Sequence, residues 1–464
     1  MSLINTGIGV SQKNNLLEAT EEAAKEAKKK IEGKKPKLLL FFCTYNYPEE
    51  DYERGMKKVY EVFGDKNIPL AGGTVLGFFA KDKYFFDVEM MKGIVSSFLK
   101  KAGKVMPSLR FNGVAVLALE SDYLNVGLGI GEKVFDSPQE AGRSSINQAL
   151  DNLEYNPSVA YLAMMKKGAR DITRFHPLNG FLLTPGFYKD GTLKDEGVLS
   201  GIDSVVRNTV RYIGGGLAQG INPNYAIYPE SGFSFFNGGK YKESVITVLF
   251  GSDLEIGYGV ASGVDPLPEK AVVTKSKGNL IYEFNGRPAS EVVKEIYNHY
   301  DNSSLELMEK HVSLGKKGYI FAYSDGNYNF YWPFMLSDVV EGKYVKSIIP
   351  LKEGTGVTFG KITIESVSRD TVDVTVKMMK EDARSNDFGL ILFFSCAGRG
   401  YLLGSDYRKE IIKIRENLER KDTPIFGICS SGEQSFYKSG PVRSASVVLT
   451  LMGISNRLIS QIKE

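Results

Sequence analysis

Two stretches of this 464-residue chain, Leu38–Cys43 and Leu390–Cys396, are apolar almost without interruption and only as long as a strand. A strand with no polar face must be covered on both sides, so the fold has to place layers above and below each of them. Both stretches are followed by an amphipathic helical stripe, Tyr52, Met56, Val59, Tyr60 and Phe63 in the first case and Tyr407, Ile411, Ile414 and Leu418 in the second, where Ser405 or Asp406 is placed to cap. Each stripe leads to a short strand that ends in glycines.

The glycine turns recur at one spacing. Pro69, Gly72 and Gly77 match Pro424, Gly427 and Gly432, and a third copy between Phe181 and Gly220 has Gly215 and Gly220 at the same step, with Tyr212 at the proline position. The segments after the turns also repeat: Val114–Leu117 followed by Leu124–Gly129, and Ile246–Leu249 followed by Leu254–Gly259, each joined by a Ser-Asp pair. These read as antiparallel hairpins, and Ser446–Leu451 reads as the first strand of a third. Upstream, Leu16, Ala19, Ala23, Ala27 and Ile31 predict a helix from Ser11 to about Glu32 with Ser11 as N-cap, stopped by Gly33 and Pro36. The expected class is α/β of the mixed α+β kind, with mixed sheets flanked by helices and built from about three pseudo-repeated units. Residues 1–270 hold two units and residues 271–464 the third, with the boundary at the Pro- and Lys-rich stretch Val264–Lys277.

Composition narrows the function classes. Lys and Arg number 58 against 55 acidic residues, and a net charge of +3 over so large a surface leaves no general nucleic-acid footprint. The densest basic stretch, Lys28–Lys37, reads as a solvated face. Three apolar-flanked cysteines, Cys43, Cys396 and Cys429, point to a reducing compartment. No apolar run is long enough to cross a bilayer, and Met1–Val10 lacks the pattern of a signal peptide, so a cytoplasmic protein without membrane insertion is expected.

A family likeness is carried by Gly72-Gly73, Gly214-Gly215-Gly216 and Asn285-Gly286-Arg287-Pro288-Ala289, and in the last third by Phe394-Ser395-Cys396-Ala397-Gly398-Arg399, the helical Glu410, and Gly427 through Gly432-Glu433. Together these resemble the FIST N and FIST C regions, over about Gly7 to Val448. The resemblance implies an intracellular sensory domain for small ligands such as amino acids or related metabolites, with a separate signalling protein as a possible partner.

Glycine turns at strand ends let backbone amides approach carboxylate or phosphate oxygens, because no Cβ stands in the way. They equally serve tight turns and close strand packing. The candidate ligand residues are Gly72, Gly73, Thr74, Gly214, Gly215, Gly216, Cys396, Arg399, Ser430, Ser431, Gly432 and Glu433. Arg399 offers a planar fork for a carboxylate and Glu433 an acceptor for an ammonium, the two groups a zwitterionic amino acid requires. Alternatively Arg399 and Glu433 form an ion pair that ties two strand ends. An enzyme using Cys396 or Cys429 as nucleophile and Glu433 as base is the competing reading, and a scaffold without a ligand is a third.

No metal is expected, since the cysteines lack CxxC spacing and His176, His299 and His311 lie outside these motifs; Asp325-Gly326-Asn327 reads as a turn, not a calcium loop. Neither a Walker nor a Rossmann pattern occurs, so no cofactor is expected.

Overall fold

The computed structural model describes residues 2–85, 112–156, 176–221 apart from 208, 229–300, 319–324 and 330–459 apart from 363 and 370, together with positions 158, 162 and 165. His311 and Asp325-Gly326-Asn327 lie outside the described residues. The fold is mixed α+β. Three six-stranded sheets carry it, and they share one strand order.

The first sheet runs β1 (Asn5–Ser11), β5 (Val114–Glu120), β2 (Leu38–Thr44), β3 (Leu70–Val75) and β9 (Ser234–Phe236). The second runs β6 (Leu124–Gly131), β10 (Val245–Ser252), β7 (Leu178–Thr184), β8 (Arg211–Gly216) and β14 (Glu433–Ser435). The third runs β11 (Leu254–Ala261), β15 (Leu449–Leu458), β12 (Phe388–Cys396), β13 (Ile425–Ser430) and β4 (Phe78–Ala80). A sixth short strand pairs with the last of each. In every sheet the third and fourth strands are parallel and the other pairings among these five are antiparallel.

The fifth strand is exchanged. β4 follows β3 along the chain but joins the third sheet, β9 follows β8 but joins the first, and β14 follows β13 but joins the second. Each glycine turn is therefore the place where the chain leaves one sheet for another.

The same exchange overturns the expected hairpins. Val114–Glu120 does not pair with Leu124–Gly131, because both edges of β5 are already taken by β1 and β2, and β6 instead pairs with β10. Likewise β10 lies between β6 and β7, and β11 pairs with β15. The Ser-Asp turns carry the chain between sheets. Ser446 and Val447 are not in a strand, which begins only at Leu449.

The N-terminus also differs from its sequence reading. Asn5–Ser11 is a strand and the helix, α1, spans Leu16–Lys30. Its cap is Asn15, whose side chain accepts from the Leu17 and Glu18 amides, while Ser11 bonds Glu22 at 2.7 Å. The second helix, α2, is Tyr52–Phe63, closed by Gly64 at φ 82°. No side chain caps the helix that carries Ile411 and Ile414: a 3-10 turn, Gly404–Arg408, leads into it directly.

Alternate residues of the central strands divide the core. Leu38, Leu40 and Phe42 of β2 and Leu390, Leu392 and Phe394 of β12 share one apolar interior with Phe181 and Phe426, whereas Leu39 and Phe41 face α1 and α2. Ring contacts cross the sheets, with Phe181 and Phe394 6.0 Å apart and Phe42 and Phe426 5.7 Å apart. Each buried ring contributes roughly 2 to 3 kcal/mol.

Helices cover the outside. α1 lies on β1, α3 (Pro138–Asp151) on β6, and α5 (Thr371–Ala383) on β11. They approach closely because these strands alternate glycine: a Cβ on Gly9, Gly129 or Gly259 would lie 1.8, 1.9 or 2.0 Å from a carbonyl oxygen of the covering helix. Between β11 and α5 the chain folds an eight-stranded sheet from strands of residues 265–361, together with the helix Ala289–Tyr300.

Candidate functional site

The three glycine turns meet. Leu217 packs on Gly73, the Gly216 amide donates to the Gly432 carbonyl at 2.8 Å while the Ser431 amide donates to Gly216 at 2.9 Å, and the Cys429 amide donates to Gly77 at 2.9 Å. First touches second, second touches third, third touches first. All twelve candidate residues are buried at this junction.

The glycines there are packed from both sides. A Cβ on Gly72 would sit 1.8 Å from the Phe41 carbonyl oxygen, one on Gly214 2.5 Å from Gln434 Oε1, one on Gly215 2.7 Å from Ser430 Cβ, and one on Gly216 2.2 Å from the Ser431 oxygen. Gly432 needs its glycine conformationally as well, at φ 91°. The amides of Thr74, Gly216 and Ser431 are bonded across the junction, Thr74 to the Phe233 carbonyl at 3.0 Å. Polar capacity therefore resides in side chains.

β12 delivers Ser395 and Cys396 to the junction, and α6 (Ala397–Leu403) starts there, with Cys396 Sγ accepting from the Gly398 amide at 3.4 Å. Arg399, on α6, is 0% exposed. Its partner is Glu410, in the first turn of α7 (Lys409–Glu416): Nε and Nη2 donate to Glu410 Oε1 at 2.8 and 2.6 Å, and Nη2 also donates to the Val367 carbonyl at 3.3 Å. The second Glu410 oxygen accepts from Ser395 Oγ at 2.6 Å. The expected Arg399–Glu433 contact is not formed. Arg399 only adds a weak favourable charge effect at Glu433.

Glu433 sits on β14 opposite Gly215 and accepts from Ser430 Oγ at 2.7 Å. The Cys396 thiol and Val448 amide flank its carboxyl, and Oε2 has no partner in hydrogen-bonding geometry. Burial pushes this carboxyl well above the usual range, against the pull of Ser430 and Cys396. Burial and then the neighbouring Glu433 charge push the Cys396 thiol up, and burial does the same to Cys429. A thiol raised in this way is the reverse of an activated nucleophile.

Sequence reasoning missed the other half of the junction. Gln434 Nε2 donates to Asp195 Oδ2 at 2.6 Å, and Ser444 Oγ donates to the same oxygen at 3.3 Å. Asp195 opens α4 (Asp195–Val206), and burial lifts its carboxyl to about 6. Its one sequence signal was a short acid beside an apolar helical run. Arg399 Nη1, Glu433 Oε2, Gln434 Oε1, Asp195 Oδ1, Ser431 Oγ and Ser446 Oγ are all buried without a partner. Beside them, Val447 is held at φ 60°, an uncommon conformation for a β-branched residue.

The FIST N domain pattern matches residues 37–287 and the FIST C domain pattern residues 289–435. A relative, the uncharacterized protein MJ1623 of Methanocaldococcus jannaschii, is 24% identical over 185 residues, 38% of this chain and 34% of the relative, so the match spans about a third of that protein's length. Among solved structures, cyanuric acid hydrolase from A. caulinodans aligns over 53% of this chain and 70% of its own at 10% identity with a TM-score of 0.21, and T. maritima PurL complexed with ADP aligns over 98% and 72% at 9% identity with a TM-score of 0.19. Overlaps that loose carry no argument about this chain. The two domain patterns together span most of the sequence, and the chain belongs to the FIST family of small-ligand sensory domains.

Proposed function

We propose that this protein is an intracellular sensor that binds an amino acid or related metabolite at the junction of its three glycine turns and passes the signal to a separate protein. The observation that carries the reading is the set of unpartnered buried polar atoms on the elements that meet there, among them a cationic donor, Arg399 Nη1, and a carboxyl acceptor, Glu433 Oε2. Buried polar groups are nearly always bonded, and a concentration of exceptions calls for a ligand or ordered water to complete them. An ammonium would meet Glu433 and a carboxylate the free edge of Arg399, the rest of whose fork is held by Glu410.

The Ser446–Val448 segment lies beside Cys396, and the positive φ of Val447 makes it the part expected to yield when a ligand enters. A thermal-shift panel of the common amino acids and central metabolites tests the proposal. A ligand present at about 100 times its Kd should stabilise the fold by roughly 2.7 kcal/mol. The response should disappear in Glu433→Gln. A flat panel, or a response indifferent to that substitution, sinks the reading.

A further inference from the structure

Away from the junction, a cavity of about 620 Å³ opens between the second and third sheets, bounded by the C-terminal ends of α4 and α5 and the loop after β14. Its inner wall is aromatic: Tyr258 and Phe436 are buried with ring centroids 5.2 Å apart. Arg211 lies over the Tyr258 ring at 5.1 Å and is anchored by two 2.8 Å bonds from Nη1 to Asp382.

The rim is cationic, and its backbone departs from the local rule. Arg207 at the end of α4, Arg384 after α5, and Lys438 after β14 all line the cavity, and all three hold positive φ, 47°, 47° and 54°. At a helix end that turns left-handed the undemanding residue is glycine, as Gly64 shows after α2. Two arginines in such places, facing one cavity, mark positions kept for their side chains.

The acids of the cavity are largely engaged. Asp382 holds Arg211, Asp203 accepts from the Tyr212 hydroxyl at 3.2 Å, and Glu381 faces Lys377 at 3.9 Å. Arg207 and Lys438 have no ion pair among the described residues. Four cations and four acids line the cavity; Arg211 cancels Asp382, Lys377 outside it offsets Glu381, and burial holds Glu255 up at about 7, so Arg207, Arg384 and Lys438 face Asp203 and a Glu255 whose negative charge is thinned near neutrality.

We propose that this cavity is a second ligand site, for a small organic anion whose flat apolar body lies against Tyr258 and Phe436 and whose carboxylate or phosphate group is held by Arg207, Arg384 and Lys438. Nothing in the glycine-turn reading is needed for it.

Calorimetric titration of the full chain with benzoate, phenyl phosphate and inorganic phosphate tests the assignment and tells the two anionic groups apart. Benzoate or phenyl phosphate should saturate one site, and inorganic phosphate should bind about tenfold more weakly because it lacks the body that fits the aromatic wall. In the double variant Arg207→Gly plus Arg384→Gly, glycine relieves the left-handed backbone, so the melting temperature should hold or rise while probe affinity falls by about tenfold or more. No saturable binding of either aromatic probe would overturn the proposal. So would undiminished affinity in the double variant, or inorganic phosphate binding as tightly as phenyl phosphate.

Discussion

Whether Arg399 is held by the fold or available to a ligand can be decided by removing its partner. Glu410→Gln keeps shape and one acceptor but leaves a guanidinium that is 0% exposed without a counter-charge. Breaking a buried pair from one side costs about 3 to 5 kcal/mol, because the remaining ion has neither water nor partner. Arg399→Met strands the carboxylate and should cost a similar amount. The double change Arg399→Met plus Glu410→Gln strands neither charge; the Gln oxygen can still accept from Ser395 Oγ, and the amide NH2 left without a partner costs about 1 to 2 kcal/mol. The coupling between the two sites should therefore be about 4 kcal/mol or more. Urea unfolding, followed in parallel by tyrosine fluorescence and circular dichroism so that the transitions can be checked for coincidence, gives the four free energies. The same cycle between Arg399 and Glu433 should be additive to within about 1 kcal/mol, since those side chains do not touch. A Glu410→Gln protein destabilised by less than about 1 kcal/mol, or strong coupling of Arg399 to Glu433 in its place, would refute this account of Arg399.

Gly129→Ala should destabilise by about 3 kcal/mol, because its Cβ would fall 1.9 Å from the Ser145 carbonyl oxygen of α3, whereas Gly356→Ala, with open space around it, should stay within about 0.5 kcal/mol; equal effects in urea would dismiss the close-approach argument. Glu255 is lifted from 4.5 to about 7, chiefly by burial, against the pull of Arg384, Arg211 and Arg457 and with a smaller push from Asp382. Its folded form thus holds the proton more tightly than its unfolded form, and its contribution to stability is intact below about pH 4.5 and lost as pH rises through 7. Glu255→Gln should remove that slope and gain about 2 kcal/mol at pH 8, and parallel pH profiles for the two proteins would contradict it. The native protein should resist thiol alkylation at Cys43, Cys396 and Cys429, all buried and unpaired by disulfides, and react at all three once denatured; rapid labelling of native Cys396 would revive the enzyme reading.

Much of the class of the fold was readable because burial on both faces leaves a direct mark: Leu38–Thr44 and Phe388–Cys396 are buried at every position. Strand pairing left no such mark. Ser121-Asp122 between two apolar runs has the chemistry of a hairpin turn, and only the occupancy of the edges of β5 by β1 and β2 decides that β6 must go elsewhere. Edge occupancy belongs to the whole fold and cannot be seen from either strand. The alternating glycines of Leu124–Gly131 and Leu254–Ala261 did carry a local signal, since a strand that gives up its side chains at every second position has a close neighbour on that face.

The site shows the same division at the level of single residues. That Arg399 needs an acid, and that Glu433 sits at a strand end beside Cys396, follow from residue type and position. Which acid Arg399 takes does not. Glu410 lies 11 residues on, past Gly404 at φ 54° and a 3-10 turn, and this break in the helix swings α7 back so that its first turn faces α6. Glu433 is farther along the sequence but reaches the junction by strand exchange, on a sheet it shares with Gly215 and not with Arg399. Two carboxylates thus arrive at one place by different routes, one as the counter-charge that makes the buried Arg399 tolerable and one without a cation in contact, held up by burial. Only the second has an oxygen left over, so in the proposed site Glu433 would take the ammonium, while Arg399, anchored by Glu410, would offer a ligand only its remaining Nη1.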